Sequence, residues 1–194
     1  MALKAVVFDV GETLFDETGI WERAADAAGV PRFTLMGILG GLAARGQRHT
    51  KAWELLGVER PASMFEPTDL YPDALPCIAE LRSRNLVVGA VGNTPREVED
   101  MLRDQVDWVG SSARWGVEKP APEFFARIIE ESGAEAAAEV AYVGDRVDND
   151  IEPALDAGMV AVHVRRGPWG FLHDPPPEAL RVRFLAELSG ALGV

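Results

Sequence analysis

Short runs of apolar, often β-branched residues alternate along the chain with longer segments whose apolar positions recur at helical spacing. The apolar runs cover residues 5–10, 86–91, 140–143 and 159–164, and the helical segments cover 73–84, 94–105, 122–132 and 149–157. Runs this apolar, in which Asp9 and His163 are the only strongly polar exceptions, are typical of strands buried on both faces. Because such strands alternate with helices, the pattern predicts an α/β fold with a doubly wound, Rossmann-like parallel sheet. A further short strand is predicted at 107–110.

Residues 16–71 break this alternation, because they favour helix and contain no convincing strand. Apolar side chains recur there at helical spacing, and Gly29, the pair 40–41 and Gly57 are expected to separate the helices. We therefore predict a core domain formed by residues 1–15 and 72–194, with a small helical cap at 16–71. Near the end of the chain, the Gly- and Pro-rich stretch 168–177 predicts an extended loop before a last helix around 183–192.

Composition and charge narrow the classes of function. The 194 residues carry 19 Lys and Arg against 31 Asp and Glu, a formal net charge of -12, which argues against a nucleic-acid partner. The single cysteine, Cys77, excludes an intramolecular disulfide and a cysteine-based zinc site, so we expect a cytoplasmic protein. The chain has no apolar run of 18 residues, and no membrane association is expected. The sequence makes no prediction of oligomeric state.

Polar residues follow several of the predicted strands, at the edge where parallel sheets bind ligands. They are Asp9, the tripeptide 92–94, Lys119 before Pro120, and Asp145 followed by Asp148 and Asp150. Carboxylates suit Mg²⁺, a lysine balances anionic charge, and free amides at a helix start bind anions. These groups together favour a site for a divalent cation and a phosphoryl group.

Four strings carry these residues in order: FDVGETLFDE (8–17), VGNTP (91–95), EKPAPEFF (118–125) and VGDRVDNDI (143–151). In this order and strand context the chain resembles the haloacid dehalogenase-like (HAD) hydrolases, which are mostly phosphatases. The resemblance runs from Ala5 to about Arg166. It implies a Mg²⁺-dependent enzyme whose cap closes over a small phosphorylated metabolite.

The resemblance also implies roles for individual residues. Asp9 matches the nucleophile, which forms an aspartyl-phosphate, and Lys119 matches the lysine that balances the charge of the nucleophile and the phosphoryl oxygens. The implied metal ligands are Asp9, the backbone carbonyl of Gly11, Asp145 and Asp150. The implied contacts to the substrate come from Gly92, Asn93 and Thr94.

Two positions depart from the family pattern. Gly11 stands where the phosphatases carry a second Asp, the general acid/base, and Gly92 stands where they carry Ser or Thr. Gly11 keeps a backbone carbonyl for the metal but has no proton to give. General acid/base assistance is typically worth about 10²–10⁴ in rate, so we expect slow turnover unless another group, such as the adjacent Glu12, replaces it.

Two alternatives remain open at this point. Carbon–halogen cleavage also begins with an Asp nucleophile and releases a halide that needs no proton, so Gly11 would be harmless in a 2-haloacid dehalogenase-like enzyme. The other alternative is a protein of the same fold that binds a metal or phosphate without turnover.

Overall fold

The structure is a computed structural model that describes residues 2–62 and 64–194. Its centre is a six-stranded, fully parallel sheet in the order β3-β2-β1-β4-β5-β6. The strands are β1 (Ala5–Phe8), β2 (Val87–Gly92), β3 (Trp108–Ser111), β4 (Val140–Gly144), β5 (Val160–Val164) and β6 (Leu180–Val182). The predicted α/β fold with a doubly wound parallel sheet is confirmed, as is the short strand after residue 107.

Most helices connect consecutive strands. They are α4 (Ala74–Ser83), α5 (Arg96–Leu102), α6 (Ser112–Trp115), α7 (Pro122–Ser132), α8 (Glu152–Asp156) and α9 (Gly167–Leu172), whereas α10 (Leu188–Leu192) follows the last strand, β6. A five-residue π-helical turn, Val147–Ile151, precedes α8. No helix in the described ranges is long and apolar enough to cross a membrane.

The sheet separates two apolar clusters, because successive side chains of a strand point to opposite faces. Val6 and Phe8 of β1 belong to the cluster with α4 and α10, whereas Ala5 and Val7 belong to the cluster with α7 and α8. All four side chains are fully buried. This two-sided burial explains why β1 reads as a continuous apolar run.

Between β1 and α4 the chain forms α1 (Thr18–Ala27), α2 (Arg32–Ala43) and α3 (Lys51–Leu56), and a 3₁₀ turn at Pro67–Asp69. These helices bury an apolar cluster of their own, which includes Leu35, Leu39 and Trp53 and also takes in Trp169 from α9. We refer to α1, α2 and α3 as the helical segment. The division into a core domain and a cap domain stays a prediction.

Three local predictions were wrong. The pair Gly40 and Gly41 lies inside α2, and Gly46, with φ +60°, follows the end of that helix instead. Thr94 does not begin α5, which starts at Arg96. Residues 168–177 are not one extended loop, because α9 occupies Gly167–Leu172 and β6 follows it. Pro168 at the start of α9 is compatible with a first helical turn, where the missing N–H costs nothing.

Candidate active site

Four charged side chains meet at the carboxyl end of the sheet. Asp9 directly follows β1 and Asp145 directly follows β4, so the parallel pairing of these two strands brings the carboxylates to the same edge. Asp150 lies one turn further on, in the π-helical turn, and Lys119 comes from the loop between α6 and α7. All four are more than nine-tenths buried.

Lys119 is the hub of this cluster. Its ammonium group donates hydrogen bonds to Asp9 Oδ1 and to Asp150 Oδ1, each with an N···O distance of 2.5 Å. It also lies 3.1 Å from the hydroxyl of Tyr142, which donates to Asp150 Oδ1 at 3.3 Å. The other oxygen of Asp150 accepts the backbone N–H of Arg146 at 3.0 Å. Charge-assisted hydrogen bonds of this kind hold the nucleophile candidate in one orientation.

Burial and mutual repulsion shift the proton affinities of the acids. Burial raises the pKa of Asp9 to about 6; Lys119 opposes this shift and Asp150 adds to it. Burial raises the pKa of Asp145 well above its ordinary value, and Asp150 and Asp9 raise it further. Burial alone would lower the pKa of Lys119, but Asp150 and Asp9 outweigh burial and the net pKa is raised. Lys119 is therefore a permanent positive charge.

With its three acids ionised, the cluster would carry more negative than positive charge. Asp9, Asp145 and Asp150 each place a carboxylate oxygen within 4.8 Å of the others, and Lys119 is bonded to only two of the three. Hard divalent cations take carboxylate oxygens as ligands and supply the missing charge. The donor set therefore fits a divalent cation.

Residues 3–158 match the family model of the haloacid dehalogenase-like hydrolases. The chain belongs to this family. It is 30% identical to the glyceraldehyde 3-phosphate phosphatase of Methanopyrus kandleri, over 85% of each protein. It is 33% identical to the protein of the same name from Methanocaldococcus jannaschii, where the match covers 61% of this chain and 54% of that protein.

Solved structures share the fold at lower identity. A HAD-hydrolase of Bacillus subtilis bound to magnesium has a TM-score of 0.71 and 18% identity, with full coverage of both chains. The L-2-haloacid dehalogenase of Xanthobacter autotrophicus has a TM-score of 0.70 and 21% identity, with 99% coverage of both chains. The fold alone thus does not separate phosphoryl chemistry from carbon–halogen chemistry within the family.

In this HAD-like hydrolase the predicted substrate contacts lie at the end of β2. Asn93 and Thr94 line the cleft above the acidic cluster. The side-chain amide of Asn93 also exchanges two hydrogen bonds with the backbone of Lys119, at 2.9 and 2.8 Å. Asn93 therefore anchors the lysine loop as well as facing the cleft. A side chain at Gly92 would be crowded, because a Cβ there would lie 3.0 Å from Thr94 Cγ2 and 3.2 Å from Val10 Cβ.

The turn after β1 places two glutamates near the cluster. Glu12 has φ +50°, and its carboxylate accepts the Tyr71 hydroxyl at 2.7 Å and the backbone N–H of Glu17 at 3.3 Å. Burial raises the pKa of Glu12. Glu17, which precedes α1, accepts the indole N–H of Trp21 at 2.9 Å. Burial, followed by repulsion from Glu12, raises the pKa of Glu17 to about 8.

The helical segment and the loops on either side of α3 form the opposite wall of the cleft, which encloses about 420 Å³. The residues that this wall contributes include Trp21, Arg48, His49, Trp53 and Arg60. The rings of Trp21 and His49 lie 5.4 Å apart, centroid to centroid. Burial and nearby arginines lower the pKa of His49 to about 4, so this ring is neutral at physiological pH. Arg60 and Arg48 place positive charge on this wall, and Arg48 forms an ion pair with Glu118 at 3.1 Å.

The sequence patterns missed two residues of the site. Tyr142 is the third residue of β4 and lies in an apolar run, so no pattern distinguishes it from a core side chain. Glu17 is the last residue of the first string of the resemblance, but only the path of the turn after β1 shows that it faces the cleft. Seven of the eight predicted site residues lie in the cluster or line the cleft: Asp9, Gly11, Asn93, Thr94, Lys119, Asp145 and Asp150. The eighth, Gly92, ends β2 next to Asn93 and is not among the residues that line the cleft.

Proposed function

We propose that the protein is a Mg²⁺-dependent phosphatase that acts on a small phosphorylated metabolite through an aspartyl-phosphate on Asp9. The observation that carries the proposal is the buried cluster in which Lys119 bonds Asp9 and Asp150 at 2.5 Å while Asp145 stands close by without a hydrogen bond from that lysine. Such a cluster pairs an oriented nucleophile with a surplus of negative charge that suits a cation.

Asp9 has two roles in the proposed reaction, as a ligand of the cation and as the nucleophile. Asp9, the backbone carbonyl of Gly11, Asp145 and Asp150 would hold the cation, which when bound supplies positive charge opposite the anionic groups of the site. The free carboxylate oxygen of Asp9 attacks phosphorus, and the bond from phosphorus to the leaving oxygen breaks.

The remaining predicted residues stabilise the phosphoryl group. Lys119 keeps Asp9 oriented and balances the negative charge that the phosphoryl oxygens bring into a buried site. Gly92, Asn93 and Thr94 offer backbone and side-chain donors at the end of β2. A donor fixed in advance in a site sheltered from water stabilises developing charge more effectively than it would in solution.

The substrate class follows from the relatives and from the cleft. Two relatives at 30% and 33% identity are named glyceraldehyde 3-phosphate phosphatases. A cleft of about 420 Å³ admits a metabolite of triose size, and its arginine-bearing wall attracts an anion. Glyceraldehyde 3-phosphate is therefore the substrate to test first.

A carbon–halogen hydrolase is the rival function that shares the Asp nucleophile. That chemistry uses no cation, so it gives no role to Asp145, which accepts no hydrogen bond from Lys119. The donor set therefore favours phosphatase activity over dehalogenation. Binding without turnover is the third possibility, and the same experiment distinguishes it.

The test is phosphate release from glyceraldehyde 3-phosphate and from p-nitrophenyl phosphate, with Mg²⁺ or with EDTA, by the protein and by its Asp9→Asn variant. We expect release that requires Mg²⁺ and disappears in the variant. Halide release from 2-haloacids in EDTA would establish the dehalogenase instead. If the folded protein releases neither product but substrate raises its melting temperature, it binds without turnover.

A further inference from the structure

Position 11 has no side chain, and the carboxyl group of Glu17 occupies the space beside it. A Cβ built on Gly11 would lie 2.3 Å from Glu17 Oε1 and 3.0 Å from Glu17 Cδ. By standard bond lengths, the carboxylate oxygens of an aspartate lie about 2.4 Å from its own Cβ. The distance from the Cβ position of residue 11 to Glu17 Oε1 is therefore close to the distance from an aspartate Cβ to its own carboxylate oxygens.

The free oxygen of Glu17 is the one next to Gly11. Trp21 donates its indole N–H to the other oxygen, Oε2, at 2.9 Å. Within residues 2–62 and 64–194, no hydrogen bond is formed to Oε1. Asp9, Gly11 and Glu17 all line the same cleft. The indole thus fixes the carboxyl group while its second oxygen stays available to a bound molecule.

Hydrolysis of an alkyl phosphate needs a group that gives a proton to the leaving oxygen and later takes one from water. The other acids of the cleft form hydrogen bonds or ion pairs with other residues. Both oxygens of Glu12 accept hydrogen bonds, from Tyr71 and from the backbone of Glu17. Glu118 and Asp148 lie at the exposed rim in ion pairs with arginines, at 3.1 and 2.7 Å.

The remaining titratable groups offer no better donor. Asp9, Asp145 and Lys119 belong to the buried cluster and carry the roles proposed above. His49 stands on the wall of the helical segment, with its ring edge-on to Trp21 and to Trp169 at 5.4 and 6.3 Å. Glu17 is the carboxyl group of the cleft that lies beside Gly11 and keeps one oxygen without a hydrogen bond to the described residues.

We propose that Glu17 is the general acid and base of the reaction and replaces the side chain that position 11 lacks. This inference rests on the phosphatase function proposed above. As Asp9 bonds to phosphorus, the electron pair of the breaking P–O bond goes to the leaving oxygen, which takes the proton of Glu17. The Glu17 carboxylate then takes a proton from the water that attacks the aspartyl-phosphate, which releases phosphate and restores both side chains.

The direct test compares Glu17→Gln with the unaltered protein on two substrates. An alkyl leaving group, as in glyceraldehyde 3-phosphate, needs a proton, whereas p-nitrophenolate leaves without one. We expect kcat for the alkyl ester to fall by about 10²–10⁴-fold and the release of p-nitrophenolate in the first turnover to fall by less than about 10-fold. Because hydrolysis of the aspartyl-phosphate by water also slows, Glu17→Gln should give a burst of about one p-nitrophenolate per protein, followed by slow turnover.

Glu22→Gln is the matched control, since Glu22 lies on α1, the helix that Glu17 precedes, and forms an exposed ion pair with Arg32 at 2.8 Å. It should keep the ratio of alkyl to aryl rates. Thermal melting with and without Mg²⁺ checks that Glu17→Gln folds and still responds to the cation. Equal losses on both substrates with no burst, or the same signature in His49→Gln in place of Glu17→Gln, would overturn the assignment. An unaltered protein with no activity that depends on Asp9 would instead overturn the phosphatase function itself.

A rescue variant tests the shared space. In Gly11→Asp/Glu17→Ala the new aspartate no longer meets the Glu17 carboxyl group, so its own carboxylate can take that place. We expect the alkyl ester rate to recover at least about tenfold over Glu17→Ala alone, a part of the general range for acid–base assistance. A double variant no faster than Glu17→Ala would contradict the replacement.

Discussion

Replacing Lys119 by Met tests how the acidic cluster is held together. The lysine side chain is 1% exposed and bonds Asp9 and Asp150 at 2.5 Å. Methionine fills a similar volume but leaves two buried carboxylates without their cation. We therefore expect Lys119→Met to unfold more easily than the unaltered protein in EDTA and to lose phosphatase activity.

The magnitude follows from the burial of the pairs. Removing one partner of a buried ion pair typically costs about 3–5 kcal/mol, because the remaining charge is left uncompensated. For a domain of this size 1 kcal/mol corresponds to roughly 2–4 °C in melting temperature, so we expect a decrease of about 6–20 °C. Protonation of Asp9, whose pKa is already raised to about 6, moves the result toward the lower figure.

The assay is urea and thermal unfolding at neutral pH, and the matched control is Lys4→Met. Lys4 forms ion pairs with Glu135 and Glu139 at 3.3 Å at the surface, where such pairs contribute about 0–1 kcal/mol. A second comparison adds Asp9→Asn to Lys119→Met, which should cost less than the sum of the single changes because the two groups are in contact. A loss in Lys119→Met no larger than in Lys4→Met would refute the reasoning.

Two further predictions concern the cation and the packing. Asp145→Asn should raise the melting temperature in EDTA, because burial, Asp150 and Asp9 all oppose an ionised carboxylate at this position and an amide carries no charge. The variant should also lose the increase in melting temperature caused by Mg²⁺, and a Mg²⁺ response equal to that of the unaltered protein would contradict the prediction. Gly110→Ala should lower the free energy of unfolding by about 1–3 kcal/mol, since a Cβ there would lie 2.2 Å from the Trp115 ring. Gly37 lies inside α2 with open space around it, so Gly37→Ala should raise the free energy of unfolding by roughly 0.5–1 kcal/mol. Urea unfolding gives the denaturant midpoint of each glycine variant, and equal midpoints for the two variants would contradict the prediction.

Local patterns were sufficient to predict the sheet and the acids at its edge. A run such as 140–143, apolar throughout and closed by Gly144 and Asp145, specifies a strand buried on both faces and an acid just beyond it. Parallel pairing of β1 with β4 then brings Asp9 and Asp145 together, independently of the conformation of the loops. These features depend on the spacing of neighbours in sequence, which one chain displays directly.

Features set by contacts distant in sequence could not be predicted in this way. The position of Glu17 depends on the turn after β1, where Gly11 bridges to Phe15 and Glu12 has positive φ. The helix α9 depends in part on Trp169 packing into the apolar cluster of the helical segment. Tyr142 differs from other strand residues only because Lys119, 23 positions earlier in the chain, lies beside its hydroxyl in the folded protein. Each of these needs the fold before it can be recognised.

The same charges that suit the site to phosphoryl chemistry oppose folding of the metal-free protein. The pKa of Asp9 is raised from 3.8 to about 6, and that of Glu17 from 4.5 to about 8. The folded state therefore holds more protons than the unfolded state between pH of about 4 and 8, and its stability decreases as the pH rises through this window. A cation at Asp9, Asp145 and Asp150 removes part of this repulsion. Cation binding and the integrity of the active site are consequently linked, and the charge surplus that destabilises the metal-free cluster is what gives it affinity for the cation.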